Sequence, residues 1–286
     1  MSNLDPPISA RRAVIANALQ EDFGILGDLT SQACVPESQI GNANFVARAD
    51  GIIAGTRVAS EVFAAVDPAV RVEFQVSDGA VVTAEQVVGT VSGSLRSILM
   101  AERTSLNLLC HCSGVATLTN RYVVAANVPG SVAQIRDTRK TLPGLRALQK
   151  AAVRAGGGVN HRESLSDAVL IKDNHLVALG SVTQAIVKAR ELWPARTIEV
   201  ECDRLEQVQE AREAGADLVL LDNMSPAAVV EAVAVLAGGP PAEVSGGVNL
   251  ETVASYAATG VAYISIGALT HSAPVLDIAL DFVNGS

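Results

Sequence analysis

From about residue 133 to residue 267 the chain alternates short apolar runs with amphipathic stretches, and this rhythm restricts its possible folds more than any other feature. Strands read at Ala133–Thr138, Ala168–Asp173, Thr197–Cys202, Leu218–Asn223, Ala242–Ser245 and Ala262–Gly267. Helices read at about Leu145–Ala155, Val182–Leu192, Leu205–Ala214, Ala227–Leu236 and Leu250–Thr259, with a last one near Val275–Phe282. Apolar strands separated by helices build right-handed βαβ units and a parallel sheet. Ser225-Pro226 supplies an N-cap followed by Pro at the first helical position, and Gly215 and Gly260 fall where helices end.

Such units close into a barrel or stay open as a doubly wound sheet. An open dinucleotide-binding sheet wants a Gly-rich turn after its first strand, but this first strand runs into Asp137-Thr138-Arg139-Lys140. The polar residues favour the barrel. Arg136, Thr138, Arg139 and Lys140 follow the first strand, and Lys172, Asp173, Asn174 and His175 end the second. Glu199 and Glu201 alternate on the third and so face one side. Asp222-Asn223, Ser245-Gly246-Gly247 and Gly267-Ala268 end the last three. In α/β barrels catalytic groups converge on this face, and the last strands commonly supply a phosphate site.

The first hundred residues have a different rhythm: a short helix at about Ala10–Gln20 capped by Ser9, then strands at about Ile40–Ala49, Val70–Val76 and Val87–Ser92. The Asp78-Gly79-Ala80-Val81-Val82 run has the pattern of a lipoyl or biotinyl domain, but residues 51–95 hold no Lys to modify.

Charge locates the chemistry. Of 286 residues, 49% are apolar and 18% charged, enough for a sizeable core. The net charge of −9 argues against a nucleic-acid or anionic-membrane partner. Yet between Arg136 and Lys172 eight Lys/Arg stand against three acids, a cationic field suited to an anionic substrate. Arg146, Lys150 and Arg154, at spacing i, i+4, i+8, read as a solvated helix face; Arg139, Lys140, Arg162 and Lys172 fall at strand or loop ends. Asp173, Glu201 and Asp222 each end a strand, an acidic patch suited to Mg²⁺ with substrate phosphates. Gly156-Gly157-Gly158 reads as a mobile loop or lid.

Other classes fall away. Met1–Ala10 is polar with two prolines, so no secretory leader is expected, and the uncharged stretch Thr252–Leu276 is broken by Gly, Ser, Thr and His, against a membrane span. Cys34, Cys110, Cys112 and Cys202 fit no zinc spacing, and Cys110-His111-Cys112 reads as small buried thiols flanking a histidine.

At these residues the sequence resembles the quinolinate phosphoribosyltransferase family. The matching stretches are Ala101–Leu109, Arg136–Arg146, Gly156–Arg162, Leu170–His175, Ile198–Glu201, Leu221–Met224, Ser245–Val248 and Gly267–His271. The resemblance implies an α/β barrel of parallel strands at 115–286, with an N-terminal α+β open-sandwich domain at 1–114 on which a last helix at about 274–284 packs. It implies a reaction of quinolinate with phosphoribosyl pyrophosphate, giving nicotinate mononucleotide, pyrophosphate and CO₂ with Mg²⁺. Arg103, Thr138, Arg139, His161, Arg162 and Lys172 would then hold quinolinate. Lys140, Asp173, His175, Glu201, Asp222, Ser245, Gly246, Gly247, Gly267 and His271 would hold phosphoribosyl pyrophosphate. Lys140, Lys172, Glu201 and Asp222 would be catalytic, with Glu201 and Asp222 on Mg²⁺ directly or through water. A cytoplasmic homodimer with Arg103 reaching the partner's site is the expected form. Three alternatives stay open: a paralogue acting on another nitrogen heterocycle, a lyase using Lys172 as a Schiff base, and a metabolite-binding regulator.

Overall fold

A computed structural model describes residues 4–283; residues 1–3 and 284–286, which include the start of the polar N-terminal stretch and the end of the expected last helix, lie outside the described residues. The described chain divides into two compact units. One runs to Asn120 and adds Thr141–Gly157 and the segment from Leu269 on; the other comprises Arg121–Lys140 and Gly158–Ala268.

In the first unit, α1 (Ile8–Phe23) follows an N-cap at Pro7 rather than Ser9, with no side-chain cap bond. Next come α2 (Leu29–Cys34), β1 (Ile40–Ala47), β2 (Gly51–Ile52), α3 (Thr56–Val66), β3 (Arg71–Phe74), β4 (Val81–Val82), β5 (Val87–Ser94) and the long α4 (Leu95–Ala126). Residues 278–282, expected as helix, form strand β12 (Ile278–Phe282). It pairs antiparallel with β1 in a sheet ordered β12-β1-β5-β3. Ile278 and Leu280 point into the core while Asp281 faces Arg48 at 2.6 Å, a period of two that decides for strand. The core centres on Phe45, edge-on to Phe63 at 6.0 Å and tilted against Phe74 at 4.9 Å.

Helix α5 (Arg146–Ala155) also belongs to this unit and corrects a second expectation: Lys150 is fully buried and Arg146 and Arg154 are half-buried, not a solvated face. The glycine run after it has a packing reason as well. A Cβ on Gly156 would lie 2.3 Å from the Ala116 carbonyl oxygen on α4, so the two backbones meet where no side chain fits.

The second unit carries β6 (Gln134–Arg136), β7 (Val169–Ile171), β8 (Ile198–Cys202), β9 (Leu218–Asp222), β10 (Ala242–Ser245) and β11 (Tyr263–Ser265). Its helices are α6 (Asp173–Leu179), α7 (Val182–Leu192), α8 (Leu205–Glu213), α9 (Pro226–Val235) and α10 (Val253–Ala257), and α11 (Ala268–His271) follows. Helix α10 is shorter than expected because Asn249 Oδ1 accepts the N–H groups of Glu251 and Thr252, making a turn of what read as its first residues.

The six strands are parallel in the order β6-β11-β10-β9-β8-β7, so the first strand pairs with the last. Val159 extends the β6 edge through a parallel bridge to Arg136. Two residues on, His161 Nε2 lies 2.8 Å from Glu199 on β8. In a flat sheet five strand spacings, about 24 Å, would separate them. The sheet is therefore curled into a barrel.

Register sorts the side chains. Leu170, Glu199 and Leu218 share one level; Glu201, Leu220, Glu243 and Tyr263 the next; Asp222, Ser245, Ser265 and Arg136 a third. All have the same parity and face the lumen. The other parity, Ile135, Ile171, Ile198, Val200, Val219, Leu221, Val244 and Ile264, is apolar and buried.

Candidate active site

Many barrels fill the lumen with branched apolar side chains; this one places charges there. Glu243, fully buried, accepts from the Arg136 guanidinium and from the Ser265 hydroxyl. Arg136 stacks over Tyr263, 4.3 Å from the ring centroid. Burial, followed by the charge of Glu199, pushes the Glu243 carboxyl up, while Arg136 and His161 oppose the shift. Asp137, also fully buried, accepts the His161 backbone N–H at 2.9 Å and the Asn160 amide. Together these residues clamp the segment after Val159 to the end of β6.

Above this layer stand the cations. Thr138 and Arg139 are half-buried and Lys140 is exposed just past β6; the Thr138 hydroxyl accepts the Lys140 N–H at 3.0 Å. Arg162 is half-buried and donates to the Ala168 carbonyl at 2.9 Å. Its pKa is pressed down by burial and then by the charge of Arg139, with Glu199 and Asp167 acting the other way. Two guanidiniums in a part-desolvated place are groups that could bind an anion.

Lys172 caps α6 and donates Nζ to Glu201 Oε2 at 2.8 Å. Asp173 and His175 lie in the first turn of α6, both exposed, and His175 Nδ1 accepts the Lys172 N–H at 2.9 Å. Glu201 and Asp222 share the lumen-facing parity on neighbouring strands, and Asp222 accepts the Asn223 amide at 2.7 Å.

On the far side of the mouth, Ser245 pairs in register with Ser265, which sets Gly246-Gly247 beside Gly267. Gly246 and Gly247 have φ of 92° and 67°, and Asn223 holds φ of 54° while its N–H donates to the Ser245 carbonyl at 2.9 Å. This is a ring of turn backbone over the ends of β9, β10 and β11, the kind of concavity that takes phosphate on N–H groups.

The second unit thus gathers Thr138, Arg139, Lys140, His161, Arg162, Lys172, Asp173, His175, Glu201, Asp222, Ser245, Gly246, Gly247 and Gly267. Arg103, exposed on α4, and His271, exposed in α11, belong to the other unit, and His271 Nδ1 lies 2.5 Å from the Ser272 hydroxyl. Glu243 escaped the sequence reading. Its signal was there: a carboxylate inside the apolar strand Ala242–Ser245, with the alternation that marks Glu199 and Glu201.

Two sets of residues could in principle hold a metal. His161, Glu199 and Glu243 lie with ligand atoms within 4.8 Å of one another. They do not fit a cation, because His161 Nδ1 accepts the Arg162 N–H at 2.8 Å, leaving Nε2 to carry the ring proton, and both Glu243 oxygens are engaged. Glu201 and Asp222 each commit one oxygen, and among the described residues the other carries no hydrogen bond. Two half-buried carboxylates at a mouth suit a hard ion that keeps its waters.

Comparison with known proteins identifies this arrangement. The family model for the C-terminal domain of quinolinate phosphoribosyl transferase matches residues 115–281, and the one for its N-terminal domain matches residues 28–113. The chain belongs to the quinolinate phosphoribosyltransferase family. It is 48% identical over 284 residues to the nicotinate-nucleotide pyrophosphorylase [carboxylating] of Mycobacterium leprae, covering 97% of this chain and 99% of that one. Among family members of known structure, the nicotinate-nucleotide pyrophosphorylase of Francisella tularensis superposes with a TM-score of 0.93 at 36% identity, covering 98% of both chains. NadC of Streptococcus pyogenes gives 0.93 at 37% identity, over 98% of this chain and 99% of that one. The family's two-domain α/β architecture is the one described above.

Proposed function

We propose that the chain transfers the phosphoribosyl group of phosphoribosyl pyrophosphate to quinolinate with decarboxylation, giving nicotinate mononucleotide, pyrophosphate and CO₂, a step of NAD biosynthesis. The observation that carries this is the Arg139–Arg162 pair, in which the charge of Arg139 adds to burial in pressing the Arg162 pKa down, with Lys172 a third cation at a strand end. A monoanion would leave such a site over-positive; a pyridine dicarboxylate matches it.

In this reading Arg139, Arg162 and Lys172, with Thr138 and His161, orient the two carboxylates, and Arg103 completes the site from the partner of a homodimer. Lys140, Asp173, His175 and His271 hold the pyrophosphate side, while Ser245, Gly246, Gly247 and Gly267 take the 5′-phosphate on backbone N–H groups. Glu201 and Asp222 would hold Mg²⁺, which when bound neutralises pyrophosphate charge. The same two carboxylates face the anomeric carbon and stabilise its oxocarbenium character as pyrophosphate leaves. Lys172 Nζ is engaged by Glu201 Oε2 at 2.8 Å rather than set among apolar walls, which opposes the Schiff-base lyase reading. Once the ring nitrogen is quaternised the ring itself accepts the electrons of the departing carboxylate, so orientation is the protein's main task.

No helix of the described residues is long and apolar enough to cross a membrane, and we place the enzyme in the cytoplasm. The test is to follow CO₂ and pyrophosphate release together with quinolinate and with nicotinate as acceptors. Stoichiometric release from quinolinate, with nicotinate far poorer, is expected. Comparable specificity constants for the two acids would overturn the dianion assignment.

A further inference from the structure

Glu199 is placed where stability alone gives little reason for a carboxylate. It is 2% exposed, and its register neighbours on both sides are Leu170 and Leu218. Among the described residues its Oε1 has no hydrogen-bond partner, and its Oε2 has His161 Nε2 at 2.8 Å. A buried carboxylate with one oxygen unsatisfied is costly, and an apolar side chain of similar volume would fill this level better.

What Glu199 holds is a spacer. The Arg162 backbone N–H donates to His161 Nδ1, so that nitrogen carries no proton and Nε2 carries it, donating to Glu199. The imidazole is neutral with its tautomer fixed at both ends, and it brings no charge to the acceptor site. It links the floor of the lumen to the segment that carries the Arg162 guanidinium. Glu243, 3.8 Å from the same Nε2, is saturated by Arg136 and Ser265 and leaves the bond to Glu199.

We propose that Glu199 is a positioning residue for acceptor recognition: through the Nε2–H of a neutral His161 it sets the place of Arg162, without touching either substrate. This rests on the reading of Arg139 and Arg162 as the quinolinate cations. It separates the reach of the acceptor oxygen from its charge, and two substitutions test the two apart. Glu199→Gln keeps an oxygen at the same reach and removes the charge. Glu199→Asp keeps the charge and withdraws the oxygen by one bond, about 1.5 Å.

Steady-state kinetics on the full-length enzyme should show Glu199→Asp raising the KM for quinolinate about tenfold, the size expected for one charge-assisted hydrogen bond. The KM for phosphoribosyl pyrophosphate should stay within about twofold, because Glu201, its proposed contact on the same strand, is held one level higher by Lys172 and the other contacts lie on other strand ends, and Glu199→Gln should stay within about threefold of wild type for both. The reverse order, Gln impaired and Asp intact, would show that Glu199 acts by charge on Arg162 and overturn the proposal. Equal loss toward both substrates, or a fall in kcat alone, would reduce Glu199 to a structural role and overturn it too. Should Glu199→Asp fail to fold, ¹⁵N spectra of the histidine rings in wild type decide, with His161→Gln assigning the signal. An Nε2-protonated neutral ring is expected, and an imidazolium refutes the spacer. That measurement needs no substrate, so an enzyme that ignores quinolinate would fail the earlier reading and leave this one to be judged by itself.

Discussion

Gly246 has no room for a side chain. A Cβ there would lie 2.2 Å from Asn223 Oδ1 and 2.7 Å from its Cγ, and φ of 92° disfavours any L-residue. Asn223 cannot withdraw cheaply, since its own φ is positive and its N–H is bound to Ser245. Gly246→Ala should therefore distort the proposed phosphate turn, with strain of about 1–3 kcal/mol appearing as a fivefold or larger rise in the KM for phosphoribosyl pyrophosphate and little change for quinolinate, at about 1.4 kcal/mol per tenfold. Asp222→Asn removes a carboxylate that a hard cation would need. It should raise the Mg²⁺ concentration required for half-maximal rate while calorimetry finds quinolinate affinity nearly unchanged. Thiols make a third test. Burial pushes Cys112 and Cys202 up to about 12, and Cys34 is exposed. A maleimide at pH 8 should label native protein fast at Cys34 alone, and Cys34→Ser should abolish that phase. Raising the pH to about 9 should not bring Cys112 or Cys202 into reaction, because thiolate forms only near the shifted pKa; unfolding should.

Among the elements β12 is the instructive one. Val-Leu-Asp-Ile-Ala-Leu-Asp-Phe satisfies a helical period and a strand period at once, so local pattern could not choose between them. The choice is made by β1, some 230 residues earlier, whose open edge supplies the hydrogen bonds. Ile278→Ala should cost about 2–4 kcal/mol by chemical denaturation, and Asp281→Ala, on the exposed side of the same strand, under about 1 kcal/mol. The barrel strands were legible because each is apolar on the helix-facing parity and ends in a polar residue, as Ile198–Cys202 does. Helix α5 was misread for the opposite reason: Lys150 looks like any surface lysine, and only tertiary packing buries it. The cations Arg139, Arg162 and Lys172 fall at the strand and loop ends of the second unit, where their sequence positions put them. What escaped was Glu243, since a lone carboxylate in a four-residue strand acquires meaning only once Arg136 and Ser265 are seen to meet it.

At the scale of the whole molecule, the proposed site draws on two chains. Arg103 is exposed on α4, and the function proposed above has it enter a neighbour's mouth. If so, Arg103→Ala and Lys140→Ala, each inactive alone, should complement when dissociated and re-annealed at equal concentration. In a mixed two-fold dimer one site takes both defects and the other none, so about a quarter of full activity should return. No recovery after verified subunit exchange would mean that Arg103 acts within its own chain or not at all.

The pairing of β1 with β12 also has a consequence in time. Residues 40–47 emerge in synthesis some 230 residues before the strand that covers their edge. The barrel has the same habit, since β6 finds its partner only when β11 has been made. Both sheets therefore close late, over long stretches of chain, and such non-local pairings form slowly. Until β12 is made, that edge of β1 presents a row of unpaired backbone groups, a template for any other nascent strand. A chain cut between His271 and Ile278 would keep every proposed substrate-binding residue and leave the β1 edge permanently sticky. Its expected fate is aggregation or proteolysis, well before any loss of chemistry could be measured.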